Sequence, residues 1–444
     1  MPQDAGLIGS YVSLGLQALI PIALGSFKSL KTPEATIRKR KLARKGQLLD
    51  GQEDSDDEGE EEIIEETLTW ADSLLFPVFG SVALLGLFLI IKYVGKEWIN
   101  TILGVYFTGA GMFAIHSTFS SITAWTLRAF GHKSITYHIR ISAGIRQVFH
   151  LPTTLPSMIL VPIAIALPLL YIPLGRPYIL SNILALSLST ATLGLLKLDS
   201  FLTAFLLLGV LLVYDIFWVF ATPVMVTVAR SIDAPIKILS PKSSPFALNG
   251  KPLEFTMLGL GDIVIPGLVI ALCLRFDLAN YVKSHPNQEI TTKSKFSKPY
   301  FITGLLSYII GLTITILVMH TFKAAQPALL YLSPTCSLGP ILLASIRGEL
   351  KELWSWSDAP STEEKEKKIL DETIEAPSEA AMKARAEAKA LVAQSENEDG
   401  NSEETKINGT STLIEDDDDS WMNSGVVTPD DQGKARKRKG GKKK

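Results

Sequence analysis

Residues 211–229 read LLVYDIFWVFATPVMVTVA, and residues 255–274 read FTMLGLGDIVIPGLVIALCL. Each run is long enough to cross a hydrocarbon layer, which takes about 20 apolar residues as a helix. Each also carries one carboxylic acid in its interior, Asp215 in the first and Asp262 in the second. A carboxylate near the middle of a bilayer is costly, so such a residue faces the inside of a helix bundle and marks function. Two of them in consecutive hydrophobic runs set the reading of the whole chain.

The rest of the 444-residue sequence is segmented in the same way. A net charge of -2 and 20% charged residues resemble the averages of a soluble enzyme, but the charges gather in blocks. Between the blocks lie nine charge-poor stretches: 5–27, 73–91, 98–127, 147–175, 177–196, 200–229, 255–274, 299–322 and 324–346. The expected fold is therefore all-α, a polytopic membrane protein with about nine transmembrane helices and the two aspartates on the sixth and seventh. Residues 1–27 form the first transmembrane segment, and 28–70 form a charged flexible linker, basic from Lys28 to Lys45 and acidic from Asp50 to Glu66. Residues 71–197 hold spans two to five, 198–347 hold spans six to nine as the core bearing the aspartates, and 348–444 form a charged, mostly disordered tail.

Leu7–Phe27 lacks a basic segment before it and has one after it, the reverse of a cleaved signal, so it is expected to stay in the mature fold. Pro152, Pro156, Pro162, Pro168, Pro173 and Pro177 make the fourth span one that must be packed or kinked. Cys273 and Cys336 both fall inside spans, where neither a disulfide nor a zinc shell is expected. No metal or cofactor is expected, and the partners to look for are the lipid bilayer and membrane peptides, with no nucleic acid. No internal repeat of 20–50 residues stands out.

Orientation follows from Lys and Arg near the segment ends. With a lumenal N-terminus, twenty of them fall on the cytosolic side and eight on the lumenal side. The positive-inside bias therefore places the N-terminus in the lumen and the tail in the cytosol. Asn408, in Asn-Gly-Thr, then lies on the side where a glycosylation sequon is not used.

Depth brings the two acids together. Asp215 lies eight residues before Pro223 and Asp262 eight residues after Glu254. At ~1.5 Å per residue both sit about 12 Å from the same surface, and consecutive helices run antiparallel. No Lys or Arg lies within any of the nine stretches, which leaves His116 as the other ionisable side chain of comparable depth. The simplest partner of each aspartate is the other, and two carboxyls in one site share a proton. Such a pair can activate water with its charged member and polarise a peptide carbonyl with its neutral one.

Gly259 and Gly261 leave room for close backbone approach beside Asp262, although glycine also packs membrane helices. Tyr214 reads equally as a hydrogen-bonding neighbour of the pair or as ordinary packing. Gln326-Pro327-Ala328-Leu329 either begins a helix or frees backbone groups for an extended peptide. His116 reads as polar packing. Paired membrane aspartates also serve in proton- or ion-coupled transporters, and a scaffold could use them to hold membrane helices.

Tyr-Asp at 214–215, Gly-Leu-Gly-Asp at 259–262 and Pro-Ala-Leu at 327–329, in this order and each in its own hydrophobic segment, resemble the presenilin and signal peptide peptidase superfamily. The longer strings YDIFWVFATPVMVTVA, LGLGDIVIPG and QPALLY look like its signal peptide peptidase branch, over roughly residues 70–350. The resemblance implies a GxGD intramembrane aspartic endopeptidase with Asp215 and Asp262 catalytic. Tyr214, Gly259, Leu260, Gly261, Pro327, Ala328 and Leu329 are the expected substrate-binding set. It further implies residence in the endoplasmic reticulum and cleavage of signal-peptide remnants and of type II or tail-anchored membrane proteins. Members of this branch work without obligate subunits, which leaves homo-oligomers and quality-control factors of the endoplasmic reticulum as further partners to consider. Their dilysine retrieval signal is imperfect here, with Lys442 third from the end but Gly441 fourth.

Overall fold

The computed structural model describes residues 2–32, 36, 66–131, 136–143, 146–242, 254–285, 290, 294–322 and 326–358. The helices are α1 (Pro2–Lys28), α2 (Trp70–Tyr93), α3 (Lys96–Ala129), α4 (Leu155–Tyr171), α5 (Tyr178–Leu195) and α6 (Phe201–Phe220). They continue with α7 (Val224–Ser231), α8 (Gly261–Ser284), α9 (Pro299–Phe322), α10 (Leu329–Arg347) and α11 (Leu350–Ser355). Six short strands accompany them: β1 (Glu66–Leu68), β2 (Thr136–Ala143), β3 (Arg146–Thr154), β4 (Leu196–Leu198), β5 (Lys237–Pro241) and β6 (Phe255–Gly259). β1 pairs in parallel with β4, while β2–β3 and β5–β6 are antiparallel. Most of the linker 28–70 and the tail beyond 358, including Asn408 and Lys442, lie outside the described residues.

Among the described residues, seven helices are long and apolar enough to cross a membrane: Gly6–Lys28 of α1, and α2, α3, α5, α6, α9 and α10. α4 is a shorter apolar helix, and α8 carries Asp262, Arg275, Asp277 and Lys283 along its length. Each of the nine hydrophobic stretches contains a helix, but three depart from their expected bounds. In the fourth, residues 147–154 belong to β3, and the helix starts only at Leu155, with Pro156 in its first turn, where a missing N–H costs nothing. The sixth breaks after Phe220, because Pro223 cannot continue the backbone ladder and disfavours helix at the residue before it.

The seventh departs most. Phe255–Gly259 is a strand, and the helix begins at Gly261, so Asp262 stands at a helix start rather than eight residues inside one. Pairing with β5 satisfies the backbone that a helix would otherwise have to satisfy, which matters wherever water is scarce. At its other end α8 runs ten residues past Leu274 and buries Arg275 and Asp277. The absence of cations within the nine stretches therefore does not extend to the helix itself. Each of these charges has a partner. The Asp277 carboxylate accepts from the N–H groups of Tyr300 (3.2 Å) and Phe301 (2.9 Å) at the start of α9, and Arg275 pairs with Asp358.

That last contact shows that the folded core continues past Arg347. Gly348, at φ 72°, ends α10 in the left-handed conformation that glycine adopts without strain. The chain then turns back through α11, which buries Leu353. Trp356 packs on Phe276 and Phe201, with ring centroids 5.3 and 5.9 Å away, and the Asp358 N–H donates to Asp199 O at 2.7 Å. Asp199 precedes α6 and Phe276 lies on α8, so this segment joins the two aspartate-bearing helices at their ends remote from the acids. α8 is the centre of the main core, where Ile263, Leu268–Leu274, Phe276 and Leu278 are buried against α1, α5, α6, α9 and α10.

Candidate active site

Asp215 lies in the last third of α6, five residues before Phe220, and is only 6% exposed. Ser200 starts that helix by accepting the Thr203 N–H at 3.2 Å. α10 is fixed to α6 by Ser333, whose hydroxyl donates to Leu208 O at 2.9 Å. Asp262 is half-buried in the first turn of α8, immediately after the β5–β6 hairpin delivers the chain.

The two carboxyls line one cavity of about 250 Å³. Leu211, Tyr214 and Asp215 of α6, Gly259 of β6, Gly261, Asp262 and Ile265 of α8, and Leu329 of α10 contribute to its wall. Phe76, Pro77 and Gly80 of α2 and Met225 of α7 complete it. The lining is apolar apart from the acids and the Tyr214 hydroxyl, which raises the strength of electrostatic effects inside it.

The glycines have different surroundings. A Cβ at Gly259 would stand 3.3 Å from Asp262 Oδ2, whereas one at Gly261 would approach nothing closer than Ile265 at 4.0 Å. Gly259 thus keeps the carboxylate from being displaced by its own backbone neighbour, and Gly261 leaves open space on the cavity side. Tyr214 faces α2, with its hydroxyl 3.4 Å from the position of a Gly80 Cβ.

Among the expected site residues, Tyr214, Asp215, Gly259, Gly261, Asp262 and Leu329 meet in the cavity. Leu260, Pro327 and Ala328 do not line it. Leu260 packs on the core, and the Leu260 carbonyl accepts from Ile263 and Val264 to begin α8. Pro327 is buried, and its carbonyl accepts from Leu330 while that of Ala328 accepts from Tyr331 and Leu332. This segment starts α10 and delivers Leu329 to the cavity. His116 is elsewhere: its Nε2 lies 3.0 Å from Ser157 Oγ, joining α3 to α4. Cys273 and Cys336 are free and buried. Among the described residues no group of three His, Cys, Asp or Glu side chains is placed to hold a metal ion.

Sequence reasoning missed the α2 wall. Pro77 and Gly80, three residues apart on one helical face, were its one visible trace, and a proline and a glycine in a membrane helix are too common to single out. Met225 was hidden because the break at Pro223 was not foreseen.

Residues 60–360 match the family model described as signal peptide peptidase. A mouse signal peptide peptidase is 36% identical over 379 residues, covering 84% of this chain and 89% of that protein. A human signal peptide peptidase is 35% identical over 362 residues, covering 80% and 85%. A probable intramembrane protease of Schizosaccharomyces pombe is 38% identical over 284 residues, covering 64% and 82%. With two thirds of its length inside the family model and full-length relatives above 30% identity, this chain belongs to the signal peptide peptidase family.

Proposed function

We propose that this chain is an intramembrane aspartyl endopeptidase in which Asp215 and Asp262 share one proton. The observation that carries the reading is the meeting of these two acids, from α6 and α8, in a single apolar-walled cavity. With two carboxyls sharing one cavity, one stays protonated while the other ionises. The ionised member takes a proton from water as its oxygen attacks the peptide carbonyl carbon, and the neutral member gives its proton to the carbonyl oxygen. Collapse of the tetrahedral intermediate then breaks the C–N bond: the protonated carboxyl gives its proton to the departing amine nitrogen while the ionised one takes a proton from a hydroxyl of the intermediate, which restores the shared proton.

The hairpin supports a peptide as the substrate. In the β5–β6 ladder the Leu260 N–H donates to Ile236 O and the Lys242 N–H donates to Glu254 O. This phase turns the backbone groups of Met257 and Gly259 away from β5, and the Gly259 N–H donates to the Asp262 carboxyl. An extended peptide adding to the β6 edge would bring its carbonyls past the acids. A substrate helix must therefore unwind first, because its amides are hydrogen-bonded within the helix. The substrates we assign are signal-peptide remnants and type II or tail-anchored membrane segments in the endoplasmic reticulum, with the N-terminus of the enzyme lumenal and its tail cytosolic.

Purified protein in lipid vesicles should cleave such a segment with a rate that is bell-shaped in pH. At low pH both carboxyls are neutral and no base remains, and at high pH both are charged and no acid remains. Ion flux without cleavage in the same vesicles would overturn the protease reading.

A further inference from the structure

The two edges of the β5–β6 hairpin are treated differently. On β6, the backbone groups of Met257 and Gly259 point away from β5, and the Gly259 N–H donates to the Asp262 carboxyl. On β5, the ladder phase turns Leu239 outward, and the Asn182 side chain of α5 takes both of its backbone groups. Asn182 Oδ1 accepts the Leu239 N–H at 2.9 Å, and Asn182 Nδ2 donates to Leu239 O at 2.7 Å. The amide thus pairs with the strand edge as a neighbouring strand would.

Asn182 is itself held. Its Nδ2 also donates to Gln17 Oε1 of α1 at 3.1 Å, and Gln17 Nε2 donates to Ser13 Oγ at 2.9 Å. Seven residues earlier on α1, Ser10 Oγ donates to Ser240 O at 3.2 Å and contacts the Thr256 hydroxyl. Two helices that do not carry the aspartates therefore grip the outer strand at Leu239 and Ser240. The bidentate contact matters because a strand slipped by one residue turns every side chain to the opposite face. A slip here would replace Leu239 with a neighbour whose backbone points inward, and would carry Gly259 away from Asp262.

We propose that Asn182 is a positioning residue for proteolysis, fixing the register of the β5–β6 hairpin so that the β6 edge presents the substrate strand to Asp215 and Asp262 in one alignment. This rests on the aspartyl protease reading above and adds to it the device that selects the bond to be cut. Asparagine suits the task because one planar group offers a donor and an acceptor at the spacing of a peptide unit. Aspartate keeps the shape and lacks the donor. Leucine lacks both.

The test compares wild-type full-length protein with Asn182→Asp and Asn182→Leu in vesicles, reading products by mass spectrometry and kinetics by initial rates. The expected result is a rise in KM of about tenfold and products spread over neighbouring bonds, with a smaller change in kcat. Binding of a short tetrahedral-alcohol peptide isostere, too short to reach beyond the acids, should stay within about twofold of wild type. Unchanged KM and an unchanged cleavage pattern in variants that bind the isostere would overturn the proposal. Hydrogen exchange on the wild-type protein tests the same device without a variant. The Leu239 amide should be protected at rest, and that of Met257 only when an uncleavable extended peptide is bound. Equal, rapid exchange of Leu239 and Met257 at rest would also overturn it. Failure of wild-type protein to cleave anything would instead count against the protease reading, whatever the exchange pattern.

Discussion

Asp215→Asn and Asp262→Asn should each lower peptide cleavage by purified protein on the order of 10²–10⁴-fold, the range expected when a general acid or base is removed. Asparagine matches aspartate in shape, and Asp215 has no charged partner apart from Asp262 lining its cavity, so helix content and elution behaviour should not change. The effects should not add. An acid–base pair works as a unit, and the double variant Asp215→Asn with Asp262→Asn should be about as inactive as either single one. Single-turnover cleavage of a labelled transmembrane peptide measures this directly. If either single variant kept more than about a tenth of the wild-type rate, the shared-proton pair would be the wrong description.

A second large effect is expected at Gly259, whose backbone N–H donates to the Asp262 carboxyl. The Cβ of Gly259→Val would meet Asp262 Oδ2 at 3.3 Å before its two methyl groups are counted, so the carboxylate must rotate away. Displacing a reacting group by about 1 Å costs on the order of 10²-fold in rate. Gly259→Ala should fall between valine and wild type, whereas Gly261→Ala, whose Cβ meets only Ile265 at 4.0 Å, should be milder than Gly259→Ala. The order of the three rates is the useful readout. Equal loss from the two alanine variants would mean that the glycines serve backbone flexibility in general rather than room for this carboxylate.

The sequence made the aspartates legible because a carboxylic acid in a hydrophobic run has few structural uses. Their meeting was expected from equal depth on two continuous helices; both acids do line one cavity, but the strand Phe255–Gly259 removes that premise. The route by which Asp262 gets there was not legible. A hydrophobic stretch of 20 residues reads as one helix, and Phe255–Gly259 becomes a strand because β5, brought from residues 237–241, supplies its hydrogen bonds. Such long-range pairing leaves no local mark in an apolar run.

Two further features escaped for related reasons. Arg275 and Asp277 lie just past the end of the hydrophobic stretch and look like a solvated boundary, yet they are buried because α9 and the segment ending at Asp358 cover them. Asn182 is one polar residue near the start of a serine-rich helix, and only the position of Leu239 gives it a distinct role. The wall contributed by α2 was likewise invisible, because Phe76 and Pro77 are ordinary residues for a membrane helix until the cavity gives them a neighbour.

The most direct measurement of the central claim is the binding of a peptide isostere with a tetrahedral alcohol at the position of the scissile carbonyl. Such a group imitates the intermediate that the two carboxyls would hold between them, and it should bind at least 10²-fold tighter than the corresponding uncleaved peptide. The expected result is tight binding to wild-type protein that is lost in both Asp215→Asn and Asp262→Asn. Undiminished binding to both variants, by protein whose wild-type form cleaves the parent peptide, would show that the chemistry takes place somewhere other than between these two acids.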